Sequence, residues 1–313
     1  MSDLGPAVET IVRRCLRVKA GEDVVVVVDP ATRTIGEALR DEAGSAGGDA
    51  VLMLMDERAT HGTEPPASIA AALAACDVFI APTTRSLSHT SARKRATEAG
   101  ARGATLPGVT EDMLARAMAV DFDAMGARSR AVAELLSTGT RAHVTCPRGT
   151  DLKLAIDGRA GTSDDGDLGE RGAFGNLPCG EGFISPVYGE GTIVAASLAP
   201  LGLSIDPARL TVAEGRLVAA DGGLGPQFIE LLLSHGALGT NLAELGVGTN
   251  DRARLTGNVL EDEKILGTVH VAFGASAGIG GTVSVPIHLD VVVPDASLEV
   301  DGRQVLDAGR YVL

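Results

Sequence analysis

The chain has 313 residues, enough for one large or two ordinary domains with a sizeable core. Hydrophobic residues make up 45%, but aromatics only 3% and Trp is absent, so Val, Leu, Ile and Ala must build that core. A formal net charge of −14, with no basic patch, argues against a nucleic-acid partner.

The N-terminal stretch MSDLGPAVETIVRRC holds no apolar run long enough for a signal peptide or a membrane span. Cys15, Cys76, Cys146 and Cys179 are scattered and form no CxxC pair, as expected of reduced thiols. A cytoplasmic protein without membrane partners is expected. The run DVVVVVD (Asp23 to Asp29) reads as a parallel strand buried on both faces. A helical pattern follows in TRTIGEALRDEAG, then a second strand in AVLMLMD. PASIAAALAAC reads as a helix with Pro66 in its first turn. DVFIA, the helix SARKRATEAGAR, the strand GATLPG and the helix TEDMLARAMAV continue the alternation. Strand and helix in turn predict a doubly wound α/β domain with a mostly parallel sheet. No GxGxxG follows the first strand, which argues against a dinucleotide site.

From about Arg141 short alternating strands with Gly turns take over, interrupted by a helix in GGLGPQFIELLLSHGALG. This predicts a β-rich α+β domain over residues 141–313, after an α/β domain over residues 1–140, with the boundary at the end of the helix RSRAVAELLSTG. SDDGDLGE (Ser163 to Glu170) reads as an acidic, turn-rich loop.

The chemistry gathers in GTVHVAFGASAGIGGTVSVPIHLDVVV (Gly267 to Val293). Alternate residues of a strand share a face, so His288 and Asp290 lie on one side of PIHLDVVV, and a neighbouring strand TVHVAFG can bring His270 to the same point. Two histidines and a carboxylate form the facial triad of a non-haem iron site, or part of a zinc, cobalt or manganese site. The alternative is two satisfied histidines at strand ends with a turn-capping Asp. Glu181 in NLPCGEGFISP and Glu244 in NLAELGVGTN sit in apolar surroundings, where a cation, a ligand, a turn or a cap would account for them.

The order Glu, Glu, His, His-x-Asp resembles the metalloaminopeptidases of the aminopeptidase T, aminopeptidase S and PepS type. NLPCGEGFISP is similar to the loop bearing that family's first metal glutamate, here Glu181. AELGVGTN is similar to the segment of its bridging glutamate, here Glu244, and TVHVAFG and PIHLD to those of the other ligands, His270, His288 and Asp290. The resemblance covers most of the chain and is strongest from about residue 175 to residue 293. It implies an N-terminal α/β domain, a β-rich domain carrying the metal site, two divalent zinc, cobalt or manganese ions and a homodimer. One position departs: Ala277 stands where those peptidases carry a tyrosine that helps stabilise the reacting carbonyl.

The same scaffold resembles 2,5-dihydroxypyridine 5,6-dioxygenase, an iron(II) ring-cleaving enzyme. Its two histidines and aspartate correspond to His270, His288 and Asp290. SLSHTSARKRATEAGAR is similar to a segment in which a histidine faces the substrate, here His89; alternatively His89 belongs to a helix N-cap region. The first reading is thus a dinuclear hydrolase cleaving an N-terminal peptide or small amide bond, with Glu181 as proton carrier if it is not a ligand. The alternative is a dioxygenase with one Fe(II), for which Glu181 and Glu244 support the ligands or touch the substrate and His89 acts as a base. A third is a member of the scaffold that binds metal without turnover. The expected partner in the first two readings is a short peptide or a small molecule.

Overall fold

The computed structural model describes residues 3–313. The chain divides into two compact units: residues 1–120 with 166–179, and residues 121–165 with 180–313.

In the first unit the strands Asp49–Leu54, Asp23–Val28, Val78–Ala81, Arg102–Thr105 and Phe174–Asn176 lie side by side in that order, all parallel. The run Val24 to Val28 is buried throughout, because an inner strand of a two-faced sheet meets side chains on both sides. Asp49–Leu54 forms an edge and leaves Val51 and Leu54 exposed. The helices Arg33–Ser45, Ala67–Ala75, Ser91–Ala99 and Glu111–Ala117 fall where the sequence predicts them. Pro66 is the N-cap of its helix and lies just outside the first turn. Thr90 and Thr110 cap the last two by accepting from Arg93 N and Met113 N.

The second unit is an antiparallel sheet of thirteen strands among the described residues. From its middle to one edge the strands run Tyr188–Leu198, His288–Val293, Val269–Gly274, Leu242–Gly248, Glu181–Ile184 and Thr162–Asp164. A hairpin, Gly202–Ala213 and Arg216–Asp221, extends from the strand Tyr188–Leu198. Leu245, Val247, Val269, Val271, Phe273, Val291 and Val293 pack with Val132 and Leu136 of the helix Phe122–Thr138 in one apolar cluster.

The boundary expected at residue 140 is therefore corrected at two points. The helix 122–138 buries its apolar residues in the second unit's core, so the division falls before it, between Val120 and Asp121. The segment 166–179 returns to the first unit, where Phe174–Asn176 adds a strand beside Arg102–Thr105. Among the described residues, no helix is long and apolar enough to cross a membrane.

Candidate metal centre

Strand alternation decides which side chains meet. Along Val269–Gly274, Val269, Val271 and Phe273 go into the apolar core, so His270, Ala272 and Gly274 take the opposite face. On the neighbouring strand, His288 stands opposite Gly274, Asp290 opposite Ala272 and Val292 opposite His270. On the other side Glu244 stands opposite Ala272 and Gly246 opposite His270, and Glu181 continues the row opposite Gly248. One face of four adjacent strands thus presents Glu181, Glu244, His270, His288 and Asp290, with glycine and alanine between them.

Small residues are what let the polar ones meet. A Cβ added to Gly246 would lie 1.9 Å from His270 Nε2, so the imidazole occupies the space that any side chain there would need.

Among the described residues, two groups of donor atoms come within 4.8 Å of one another: Glu181, Glu244 and His270, and Glu244, His288 and Asp290. Glu244 belongs to both. Its Oε1 lies 3.4 Å from His270 Nε2 and its Oε2 lies 3.2 Å from His288 Nε2. Glu181 Oε2 lies 3.1 Å from His270 Nε2, and Asp290 Oδ2 lies 3.8 Å from His288 Nε2. His270 is fully buried, and Glu181, Glu244 and Asp290 are buried.

The donor set fits a cation. Glu181 Oε2 and both ring nitrogens of His270 are buried without a hydrogen-bond partner despite the short distances around them. Donors that converge without bonding one another leave a cost that a bound cation removes. His288 Nδ1 lies 2.7 Å from the Ala275 carbonyl oxygen; donation of an Nδ1 proton to it turns the Nε2 lone pair of the neutral ring toward Glu244 and Asp290, where a cation can meet it.

Electrostatics point the same way. Burial pulls His270 and His288 toward neutrality, but Glu181 and Glu244 outweigh it at His270, which is held protonated well above the usual range. Asp290 and Glu244 do the same at His288, raising it to about 10. Glu244 is lowered by the two imidazoles against the opposing effect of burial. Asp290 is raised, chiefly by burial. Without a metal ion, the cluster draws positive charge from its own histidines.

Sequence reasoning missed a second set of charges. Lys264 is buried with its ammonium 2.6 Å from Glu181 Oε1 and 2.7 Å from Glu263 Oε1, and 3.6 Å from Asp164 Oδ2. Glu261, Asp262, Glu263 and Lys264, four consecutive charged residues, are all buried. Asp164 belongs to the stretch expected to be an acidic loop. Instead Thr162–Asp164 forms a strand that puts Asp164 opposite Glu181. Burial raises Glu263 to about 8 and Asp164 to about 7, with Lys264 acting against both shifts.

His89 lies in the first unit, exposed, in the turn just before the N-cap Thr90. Ala277 opens the short 3-10 turn Ala277–Ile279 after the His270 strand.

Three comparisons bear on this arrangement. The family profile described as NicX, 2,5-dihydroxypyridine 5,6-dioxygenase, matches residues 4–313. The solved structure of 2,5-dihydroxypyridine dioxygenase from Pseudomonas putida KT2440 superposes with a TM-score of 0.83 at 19% identity, covering 99% of this chain and 96% of that one. Wild-type AmpT from Thermus thermophilus gives a TM-score of 0.73 at 20% identity, covering 99% of both chains. A search of curated protein sequences gave no significant match.

Proposed function

The chain belongs to the 2,5-dihydroxypyridine 5,6-dioxygenase family, and from that premise we propose that it is a metal-dependent oxygenase that opens the ring of a small dihydroxylated aromatic. The observation that carries this reading is the projection of His270, His288 and Asp290 from one face of two adjacent antiparallel strands. Two imidazoles and one carboxylate are the donor set of non-haem ferrous oxygenases, which leave positions open for substrate and O₂. Those three residues would hold the ion, with Glu244 within reach of both imidazoles. Bound ferrous iron would supply the redox chemistry that O₂ requires.

The protein's own groups do the rest. The Ala275 carbonyl fixes the His288 ring and its tautomer. Glu244 lies beside both Nε2 atoms and offsets positive charge at the centre. Burial of His270, Glu181 and Glu244 keeps water from these groups, which strengthens each charge interaction among them.

A second reading is supported by one specific observation: the two donor groups overlap at Glu244, as a bridging carboxylate between two ions would. That arrangement suits an aminopeptidase-type hydrolase, with two ions activating a shared water. Ala277, in place of the peptidase tyrosine, weighs against it.

The test is oxygen consumption by protein loaded anaerobically with Fe(II) and mixed with 2,5-dihydroxypyridine, beside release of amine from aminoacyl amides by protein loaded with zinc, cobalt or manganese. Oxygen uptake that disappears in His288→Ala is expected. Amide hydrolysis without oxygen uptake would overturn the proposal in favour of the second reading.

A further inference from the structure

Lys264 lies on the far oxygen of Glu181, beside the donor group Glu181, Glu244 and His270. Its side chain is 1% exposed, with the ammonium against Glu181, Glu263 and Asp164. A charged lysine kept from water needs an anion beside it, and Glu181 supplies one, with Glu263 and Asp164 within reach. Glu181 is thereby divided: Oε1 lies on the ammonium at 2.6 Å, while Oε2 lies 3.1 Å from His270 Nε2 without a hydrogen-bond partner. The register explains the pairing, since Asp164 and Glu181 are directly opposed on neighbouring strands and present like charges side by side. Like charges directly opposed destabilise a sheet unless a cation lies between them.

We propose that Lys264 takes the place of a second metal ion, so that this centre holds one divalent ion where the donors of two are present. A metal ion on Glu181, Glu244 and His270 would have to share Glu181 with an ammonium that the fold cannot release, and would meet its repulsion in a buried site. His288 and Asp290 have no lysine against them, and an imidazolium proton, unlike the Lys264 ammonium, can leave when a metal ion binds, so the ion settles on that side, with His270 and Glu244 within reach. Lys264 acts here as a positioning residue: it fixes the Glu181 carboxylate and sets the number of ions. The proposal rests on the one-ion reading given above.

The test is metal stoichiometry, independent of turnover. Wild type, Lys264→Met, Glu181→Gln and Glu244→Gln are equilibrated anaerobically with Fe(II), and separately with Zn(II), and ions per chain are counted by mass spectrometry after dialysis. One ion is expected in the wild type and two in Lys264→Met. Glu181→Gln, which keeps Lys264 in place, should retain one ion per chain, whereas Glu244→Gln should weaken binding by about tenfold or more. One ion in both wild type and a folded Lys264→Met overturns the role of Lys264 and leaves the one-ion reading intact. Two ions in the wild type, with one lost in Glu181→Gln, overturns both, and needs no folded Lys264 variant. One ion in the wild type and two in Lys264→Met, without oxygen uptake, sinks the oxygenase reading alone and upholds the role of Lys264.

Discussion

Gly246→Ala perturbs the centre without touching a charged residue. The added methyl would lie 1.9 Å from His270 Nε2, 2.3 Å from Cε1 and 2.8 Å from Cδ2, all inside van der Waals contact. His270 is fully buried between strands paired on both sides, so neither ring nor backbone has free space to move into. Overpacking of this kind costs about 1–3 kcal/mol, which for a unit of this size lowers the melting temperature by about 2–12 °C. The larger effect is on the ligand. Displacing His270 should weaken metal binding by about tenfold to a hundredfold, at least the loss seen when a ligand's supporting partner is removed. The assay is Fe(II) or Zn(II) affinity by chelator competition, with thermal unfolding in parallel. Gly139→Ala is the control: its Cβ would meet Val300 Cγ1 at 2.5 Å, remote from the donor residues in the sheet order, so it should cost stability without costing metal affinity. A Gly246→Ala protein that binds metal as the wild type does would refute the placement of His270 in the centre.

The metal-free protein should lose stability as pH rises from about 6.5 to about 10. His288 has a folded value near 10 against 6.5 when free, so its contribution is complete below 6.5 and is lost through 10. The raised values of Glu263 and Asp164 act in the same direction. Thermal melts in chelator across this range check it, and a melting temperature that climbs steadily to pH 9 would contradict it. In the first unit, Arg102 is buried, forks onto both oxygens of Glu22 at 2.6 and 2.9 Å and donates to the Leu16 and Arg17 carbonyls. Arg102→Met should cost about 3–5 kcal/mol in chemical denaturation, as expected when one partner of a buried ion pair is lost. Restoration of most of that loss by Glu22→Met in the same chain is the expected outcome; a loss under about 1 kcal/mol would place the pair among exposed ones. Asp29, buried, accepts from Thr84 N, Thr84 Oγ1 and Ala31 N at 2.5, 3.0 and 3.2 Å. Asp29→Ala leaves those donors unmet and should cost about 1–3 kcal/mol by the same measurement.

Much of this architecture is legible in the sequence, for identifiable reasons. Val24 to Val28 admits only a strand covered on both faces, and the two-residue period of VHVAF and HLDVV assigns His270, His288 and Asp290 to the face away from the core. What escapes is what depends on register and on burial of charge. Four consecutive charged residues, Glu261 to Lys264, are indistinguishable by composition from a solvated turn, and only the fold puts Lys264 on Glu181. Asp164 is unreadable for the same reason, since a three-residue strand leaves no periodic signal. Nor does Phe174–Asn176, with glycine at its centre, announce itself as the strand that makes the first unit discontinuous.

The position of the ion itself tests this centre most directly. Crystals of protein loaded anaerobically with Fe(II), measured at the iron absorption edge, should show one anomalous peak per chain, against His288, Asp290, His270 and Glu244. A second peak at Glu181, or a single peak remote from His288, would contradict the account.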